Sequence, residues 1–304
     1  MARCAYQLFH STFSDGNLRR LFDDKISSSL AVGRDGIRVQ AFHRGIDREI
    51  GIIRRKVMAR TYRFTRYKEK LIARGSGRHP RILSIPTVRD RLTLRALHEL
   101  LGYVFETALT KKPHSFIKEI KAHLATNPST DTFVRMDIKD YYPSIDVNLL
   151  VRIIKRRIRK KEVLHLIEAA VRTQTSDDEE VNGGVPQGLS ISNILSSVYL
   201  DDFDRKMKLK WNYFRYVDDI LIVCPESQAT EAFLDVKRAL KLRQLECHNL
   251  EDHSRKTYIQ STKQGAEYLG YYITRDTLSI RQSSLRRMFG TIQSVLTTFK
   301  YQRK

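Results

Sequence analysis

The stretch Phe214-Arg215-Tyr216-Val217-Asp218-Asp219-Ile220-Leu221-Ile222-Val223 places two adjacent acids inside an apolar, β-branched run. The run has the composition of a β-strand, in which aspartate is disfavoured. Because a buried carboxylate without a counter-charge is costly, the chain either turns here at a hairpin tip or uses a divalent metal to supply the charge. A solvated Asp-Asp turn between two strands stays open as the reading without a metal.

A second acidic strand lies upstream, where Phe133 to Ile138 is apolar and Asp137 stands near its end. If this strand pairs beside the 214–223 hairpin, Asp137, Asp218 and Asp219 converge. Three carboxylates suit two Mg²⁺ ions, with Mn²⁺ as the alternative metal. Such a pair can activate an attacking hydroxyl and stabilise a leaving pyrophosphate. The pattern therefore predicts nucleotidyl transfer.

The charge of the chain predicts a polyanionic partner. The 304 residues are 41% hydrophobic, as in a folded protein, and carry a formal net charge of +21. Nucleic acid is the expected partner, and a basic solubilising surface or an anionic membrane contact is the alternative. We expect no membrane association, because no apolar stretch approaches the roughly 18 residues of a membrane span. The chain start lacks a signal-peptide pattern, and Cys4, Cys224 and Cys247 form no CxxC pair, so the cytoplasm is expected.

Periodicity predicts a mixed α+β chain in which helices precede and follow short strands. A β-hairpin is predicted over 62–86, with a first strand at 62–68, a basic tip at 74–78 and a second strand at 81–86. The run of seven cations between Arg152 and Lys161 is either a solvated helix face or a phosphate contact. Helices are predicted at 1–35, 40–60, 87–108, 147–174, 190–208, 227–246 and 281–304.

Four motifs occur in the order seen in reverse transcriptases. They are Asp137-x-x-x-x-Tyr142, Pro186-Gln187-Gly188, Tyr216-Val217-Asp218-Asp219 and Tyr268-Leu269-Gly270. From about residue 35 to about residue 275, the chain resembles the prokaryotic branch of that family, alongside group II intron, retron and phage-defence enzymes. The segments 188–197 and 80–91 look most like the defence-associated, abortive-infection group.

The resemblance implies the fold of a right-hand polymerase, in the α+β class, with fingers, a palm built on an antiparallel sheet and a short or incomplete helical thumb. The implied division is 1–132 for the N-terminal helices and fingers, 133–275 for the palm with finger helices inserted at about 147–182, and 276–304 for a rudimentary thumb. A protein partner or self-association is expected to complete that thumb.

The resemblance also implies the roles of individual residues. Tyr142 would exclude a 2′-hydroxyl, although an ordinary core tyrosine would look the same. Lys256 would act as a general acid near the pyrophosphate, or is a basic surface residue. The last acid, Asp219, contributes more to position than to ligation in some relatives. The implied catalytic residues are Asp137, Asp218, Asp219 and Lys256, and the three acids among them are the implied metal ligands. The implied nucleotide-binding residues are Arg81, Tyr142, Gln187, Gly188, Arg74 and Arg78. The implied primer grip consists of Tyr268, Leu269 and Gly270.

The implied function is an RNA-directed DNA polymerase in a bacterial antiphage defence system. Its expected partners are an RNA template, including a dedicated non-coding RNA, a DNA or RNA primer, and dNTPs. Template-independent or protein-primed DNA synthesis on the same fold stays open. So does a non-catalytic nucleic-acid-binding module, although all three metal acids are present. Arg74 and Arg78 could equally bind template non-specifically, and Asp140 and Asp146 are expected to cap and turn the chain around Pro143.

Overall fold

The computed structural model describes residues 2–73, 80–109, 111–175, 183–250 and 256–302. The chain forms two compact units. The first unit comprises Met1–Thr110 and Asp140–Asp201, and the second comprises Lys111–Lys139 and Asp202–Lys304. Both units mix helices with antiparallel strands, which confirms the α+β class.

The first unit is mainly helical. Its one described sheet is an antiparallel hairpin of β1 (Lys68–Ile72) and β2 (Arg81–Ile85). Its helices are α1 (Ala2–Thr12), α2 (Asp15–Lys25), α3 (Val39–Arg44), α4 (Ile46–Met58), α5 (Val88–Val104), α7 (Tyr141–Ser144), α8 (Val147–Lys155), α9 (Lys161–Arg172) and α10 (Ser192–Lys210), the last of which runs on into the second unit.

Helix α5 begins at a reciprocal cap. The hydroxyl of Thr87, the N-cap residue, accepts a hydrogen bond from the Asp90 amide and donates one to the Asp90 carboxylate. The same buried carboxylate accepts hydrogen bonds from the Tyr62 hydroxyl at 2.8 Å and the Thr65 amide at 3.1 Å. Asp90 therefore fixes the segment that leads into β1 against the start of α5.

The first strand of the predicted hairpin was placed wrongly, because the strand begins at Lys68 rather than at Tyr62. Residues 62–67 are held by side chains instead of by a β-ladder. Tyr62 and Tyr67 are buried, and the Tyr67 hydroxyl donates to the Ala170 carbonyl at 2.9 Å. The helix predicted over 1–35 was also too long, since α2 ends at Lys25.

The second unit is built on a four-stranded antiparallel sheet in the order β4-β5-β3-β6. A second sheet has the order β7-β8-β9. The strands are β3 (Thr132–Asp137), β4 (Asn212–Tyr216), β5 (Asp219–Cys224), β6 (Tyr258–Ser261), β7 (Ala266–Tyr268), β8 (Tyr271–Ile273) and β9 (Leu278–Ile280). The helices are α6 (Pro113–Thr126), α11 (Ala229–Lys241) and α12 (Gln282–Gln302).

The core of the second unit joins α6 to both sheets. Apolar residues of α6 recur at helical spacing, and they form one buried cluster with residues of the four-stranded sheet and of β7 and β8. Cys224 and Cys247 are buried free thiols. The cluster includes Phe116, Ile117, Ile120, Leu124, Phe133, Phe214, Leu221, Val223, Ala266, Tyr268 and Ile273.

The C-terminal segment, predicted to be helical over 281–304 as one helix or two short ones, is the single helix α12 over its described residues. Several of its apolar side chains are exposed, namely Met288, Phe289, Ile292, Val295, Leu296 and Phe299. Across the described ranges, no helix is both long enough and apolar enough to cross a membrane.

Candidate active site

The carboxylates of Asp137 and Asp219 lie on directly opposed residues of the central sheet. Strand β3 pairs antiparallel with β5, and the register places Asp137 opposite Asp219. The pairing that would bring the three predicted acids together is thereby confirmed. Opposed side chains in an antiparallel pair lie close together on one face, and like charges there repel. The backbone thus holds these acids together against their mutual repulsion.

Asp218 lies at the tip of the β4–β5 hairpin, between the paired residues Tyr216 and Asp219. Its carbonyl accepts a hydrogen bond of 2.9 Å from the Ile138 amide, which ties the tip to the end of β3. The neighbouring Val217 has φ +57°, in the left-handed region that a β-branched residue rarely adopts. Backbone strain of this kind, about 1–3 kcal/mol, persists where the surroundings enforce it.

Arg215 and Asp204 help to hold Val217 in this backbone conformation. Arg215 donates to the Val217 carbonyl at 2.7 Å and forms a buried ion pair with Asp204. The hydroxyl of Tyr213 donates to the same Asp204 carboxylate at 2.8 Å. This network holds the carbonyl next to Asp218, so the hairpin tip is supported by residues of β4 and α10.

Arg135 neutralises Asp219. Its guanidinium donates two hydrogen bonds of 3.1 Å to the two carboxylate oxygens, and its carbon Cζ lies 5.9 Å from the ring centre of Tyr258. Burial raises the pKa of Asp219 to about 6; Arg135 opposes that shift, and the charges of Asp137 and Asp218 add to it. Burial alone would lower the pKa of Arg135, but the charge of Asp219 raises it above its ordinary value.

Lys256, whose catalytic role stays a prediction, lies beside Asp137. Its ammonium Nζ is 2.8 Å from Asp137 Oδ2 and 3.1 Å from His248 Nε2. The backbone amide of His248 also donates to the Asp137 carbonyl at 3.1 Å. The sequence did not single out Arg135 or His248. Arg135 had a signal, because residues two apart on a strand share a face, whereas nothing local marks His248.

The three acids fit a divalent metal by the chemistry of their donors. Carboxylate oxygens are hard ligands of the kind that Mg²⁺ prefers, and a divalent cation would offset the burial and the neighbouring negative charges that raise the pKa of Asp219. Asp137 and Asp219 now take their counter-charge from Lys256 and Arg135. Within the described ranges, no three His, Cys, Asp or Glu side chains are already arranged to hold an ion. The ligand roles therefore stay predictions.

The predicted primer-grip residues form a tight hairpin in the second unit. Leu269 and Gly270 both have positive φ angles, +49° and +87°, and connect the paired residues Tyr268 and Tyr271. Two-residue β-hairpin turns favour such angles. The Tyr268 ring is buried, and its hydroxyl donates to the Asp219 carbonyl at 3.4 Å. The hairpin is therefore anchored beneath β5.

The predicted nucleotide-binding loop packs on strand β2 within the first unit. The Gln187 carbonyl accepts a hydrogen bond of 2.7 Å from the Ser84 amide. Gly188 has φ +104°, and a Cβ there would lie 2.9 Å from the Ser84 carbonyl oxygen. Glycine is thus required for this close approach. Arg81 is exposed on the same strand.

Tyr142 joins this loop from the start of α7. Its carbonyl accepts a hydrogen bond of 2.9 Å from the Val185 amide, and its hydroxyl donates to Asn193 at the start of α10. Tyr142 is half-buried, whereas the adjacent Tyr141 is the buried core tyrosine.

Of the remaining expectations, Arg74 and Arg78 lie outside the described residues. Asp146 caps α8 by accepting from the Leu149 amide at 2.8 Å, as predicted. Asp140 instead takes a left-handed backbone conformation and makes no side-chain cap bond to α7.

Residues 73–273 match the family described as reverse transcriptase (RNA-dependent DNA polymerase), and this match covers more than half of the 304 residues. The chain belongs to the reverse transcriptase family. As a member, the protein is an RNA-directed DNA polymerase, which is a nucleotidyltransferase acting on an RNA template. Members of the family generally use divalent metal ions.

Relatives support this membership. Protein YkfC of Escherichia coli K12 is 23% identical over 292 residues, which cover 80% of this chain and 76% of YkfC. The group II intron-encoded protein LtrA of Lactococcus lactis is 26% identical over 153 residues, or 46% of this chain and 26% of LtrA. The chain thus relates to intron-encoded reverse transcriptases but spans only about a quarter of LtrA.

Solved structures show the same fold. Apo telomerase from Candida tropicalis covers 73% of this chain with a TM-score of 0.55 at 15% identity, and 49% of the telomerase chain is matched. Telomerase from Candida albicans in complex with a telomeric RNA fragment gives a TM-score of 0.53 at 12% identity over 80% of this chain and 49% of that chain. The right-hand polymerase fold predicted from the motifs is confirmed.

Proposed function

We propose that this reverse transcriptase extends a DNA or RNA primer with dNTPs by two-metal nucleotidyl transfer, with Mg²⁺ as its metal. The register that sets Asp137 opposite Asp219, with Asp218 beside them at a strained tip, carries the proposal. Acids held together against their repulsion in a partly buried position are typical of functional sites. The adjoining ends of β3 and β5 therefore carry the negative charge that a metal-dependent transferase requires.

The three acids at these strand ends have different roles. Asp137 and Asp218 supply carboxylate oxygens as ligands. Asp219 is held by Arg135, so it contributes position and negative charge more than ligation. When bound, the divalent ions supply the charge that activates the primer hydroxyl and stabilises the leaving pyrophosphate.

Lys256 is proposed to donate a proton to the leaving pyrophosphate. An ammonium group is a proton source that also carries charge toward a phosphate oxygen. The Nζ lies 2.8 Å from Asp137, and His248 at 3.1 Å restricts its position. We expect Lys256→Met to slow extension far more than it raises the KM for dNTP, because the interaction develops in the transition state.

The first unit is proposed to supply the nucleotide contacts. Arg81 offers a planar guanidinium suited to a triphosphate. Gln187 and Gly188 would lie against the incoming nucleotide, and the ring of Tyr142 would exclude the 2′-hydroxyl. Arg74 and Arg78 are proposed as further phosphate contacts. In the second unit, the turn Tyr268-Leu269-Gly270 would hold the primer end.

The test is primer extension on an RNA template with a DNA primer, dNTPs and Mg²⁺. We expect Asp137→Asn and Asp218→Asn to abolish extension while the fold, checked by circular dichroism, is retained. Asp276→Asn, at an exposed aspartate of the same unit, is the matched control and should leave extension unchanged. Full extension by either active-site variant would refute the assignment, and incorporation without template would favour untemplated or protein-primed synthesis.

Tyr142→Ala tests the sugar-selection role. Removing the ring should increase ribonucleotide incorporation relative to deoxynucleotide incorporation, measured as a ratio of kcat/KM values. An unchanged ratio would exclude Tyr142 as the steric wall.

We further propose that the protein serves bacterial antiphage defence and copies a dedicated non-coding RNA. This rests on the resemblance of the segments 80–91 and 188–197 to defence-associated enzymes. A protein partner or self-association is proposed to cover the exposed apolar side chains of α12 and complete the thumb. Phage plating on cells that carry the wild-type gene or the Asp218→Asn variant tests the role, and equal plating would contradict it.

A further inference from the structure

A basic cleft lies in the first unit, outside every residue assigned to catalysis. It has a volume of about 740 Å³ and is formed by the end of α4, the end of α8 and one face of α9. Lys161, His165 and Glu168 recur on α9 at helical spacing, so one side of the helix lines the cleft. Arg60, Lys155 and Arg159 line the rest of its charged wall.

Three of the four Lys and Arg side chains that line the cleft are not neutralised by an ion pair among the described residues. Among the lining residues that the structure describes, Glu168 is the one acid, and it pairs with Lys155 at 3.3 Å. Arg60, Arg159 and Lys161 are exposed and have no ion-pair partner within the part of the chain that the structure describes. The lining residues that the structure describes therefore carry three positive charges beyond the single ion pair.

The backbone fixes Arg60 at an unusual cost. Residues 56–61 end α4 in a Schellman motif, in which the Thr61 amide donates to the Lys56 carbonyl at 2.9 Å and the Arg60 amide donates to the Val57 carbonyl at 3.2 Å. Arg60 occupies the left-handed position of this motif with φ +57°, where glycine is the favoured residue. The position beside the cleft is therefore occupied by an arginine, although its left-handed backbone conformation favours glycine.

The loop between α8 and α9 is also fixed. Lys160 extends its Nζ over the rings of Tyr6 and Phe9, at 5.0 and 4.6 Å from their centres, and pairs with Glu162 at 3.6 Å. Lys160 thus anchors the loop, while its neighbours Arg159 and Lys161 stay exposed to the cleft. Lys160 is the N-cap residue of α9, and its side chain makes no capping hydrogen bond to the first helical turn. The backbone amides of that turn therefore add to the attraction for anions.

We propose that this cleft binds the phosphodiester backbone of RNA, as a site separate from the catalytic residues. The charges are spread over two helix ends and a helix face, as suits a chain of phosphates more than one small anion. The volume is that of a site for a nucleotide-sized group or larger. Because the protein is an RNA-directed polymerase, RNA is the polyanion it must hold.

The test compares two triple variants that each lose three positive charges. The cleft variant is Arg60→Gln/Arg159→Gln/Lys161→Gln. The matched control is Arg38→Gln/Arg44→Gln/Arg48→Gln, which removes exposed arginines elsewhere in the first unit that have no partner among the described residues. Arg48 lies in the first turn of α4, whereas Arg60 follows the end of the helix at Met58; the ten residues from Arg48 to Met58 span about 15 Å at 1.5 Å per residue.

Binding of a labelled single-stranded RNA is measured by fluorescence anisotropy in EDTA without dNTPs, so the result does not depend on catalysis. We expect about tenfold weaker binding by the cleft variant than by the control at physiological salt. The slope of log K against log salt should become shallower by about 2, because each single-strand phosphate contact contributes about 0.7. Equal binding by the two triple variants would overturn the proposal.

Two further arms identify the ligand chemistry. A single-stranded DNA of the same sequence should show the same loss, because the backbone charge is shared. The opposite outcome is a cleft variant that keeps wild-type RNA affinity and binds inorganic tripolyphosphate more weakly than the control variant does. That result would identify a small-anion site and overturn the proposal. Extension of a short preformed primer–template at saturating concentration should stay within twofold of wild type, which separates this site from the proposed catalytic roles.

Discussion

Arg135 is the residue that allows Asp219 to lie buried beside two other acids. The two side chains are 14% and 17% exposed and share two hydrogen bonds. Removing one partner of a buried ion pair leaves an uncompensated charge and costs about 3–5 kcal/mol. We expect Arg135→Met to lower the free energy of unfolding by about 3 kcal/mol at neutral pH without metal, measured by urea denaturation.

Arg238→Met is the control for this prediction. Arg238 is 72% exposed and pairs with Asp235 at 3.1 Å on the surface of α11. Exposed pairs of this kind contribute at most about 0.5 kcal/mol. If both variants lost the same small amount of stability, Arg135 would not be the counter-charge of Asp219.

Asp90 predicts a pH dependence of stability. Burial raises the pKa of this carboxyl above its ordinary value, although hydrogen bonds from Thr87 and Tyr62 oppose the shift. The folded state therefore binds the proton more tightly than the unfolded state does. The contribution of Asp90 to stability is largest below the unfolded pKa, 3.8, and declines as the pH rises through the folded pKa.

Asp90→Asn should remove this decline. The difference in unfolding free energy between wild type and variant, measured by urea denaturation from acid to neutral pH, should become less favourable to wild type as the pH rises. A difference that stayed constant across the range would show that Asp90 titrates alike in both states.

The three catalytic acids could be predicted because each breaks an apolar strand pattern within a few residues of sequence. Arg135 could have been inferred from its two-residue spacing to Asp137 on the same strand face. His248 could not, because its position depends on a β-bridge between Ile138 and Cys247, more than a hundred residues apart. Contacts of this kind leave no local signal.

At the scale of elements, the turn at Gly188 should tolerate no side chain. Its φ of +104° and the 2.9 Å approach to the Ser84 carbonyl oppose a Cβ in two ways. We expect Gly188→Ala to cost about 1–3 kcal/mol in thermal or urea unfolding and to raise the KM for dNTP.

Gly51→Ala is the matched control. Gly51 lies within α4, and a Cβ there meets nothing within 4 Å. Alanine in a helix interior should stabilise the protein by about 0.5–1 kcal/mol. Destabilisation of equal size by both substitutions would argue against the close approach as the cause.

The elements that periodicity described well are those that bury one face. Helix α5 and strand β3 were found close to their observed bounds, because their apolar residues repeat with the helix or strand period. The first strand of the β1–β2 hairpin was misplaced because Tyr62, Phe64 and Tyr67 have strand-like composition yet are buried by tertiary packing. Composition alone cannot tell these two uses of aromatic residues apart.

At the scale of the whole molecule, the charge of +21 predicts binding that depends strongly on salt. Each phosphate neutralised on a single strand contributes about 0.7 to the slope of log K against log salt. We expect a slope of about −3 or steeper for a single-stranded RNA, measured by anisotropy over a salt series. A slope near zero would contradict the assignment of this charge to phosphate contacts.

The charge and the polymerase fold could be predicted from the sequence, but the membership of the two compact units could not. Helix α6 belongs to the second unit because Phe116 and Ile120 pack with Phe133 and Phe214 in one core. The apolar face of α6 specifies that the helix is buried but not which sheet receives it. The predicted boundaries at 132 and 275 remain a prediction.

As an RNA-directed DNA polymerase, this chain should add deoxynucleotides under the direction of an RNA template. The most direct measurement offers each dNTP singly, with Mg²⁺ and a DNA primer, on four RNA templates that differ only in the first templating base. We expect that only the complementary dNTP is added on each template and that Asp218→Asn adds none. Addition of the same nucleotide on all four templates, or equal addition by the variant, would contradict it.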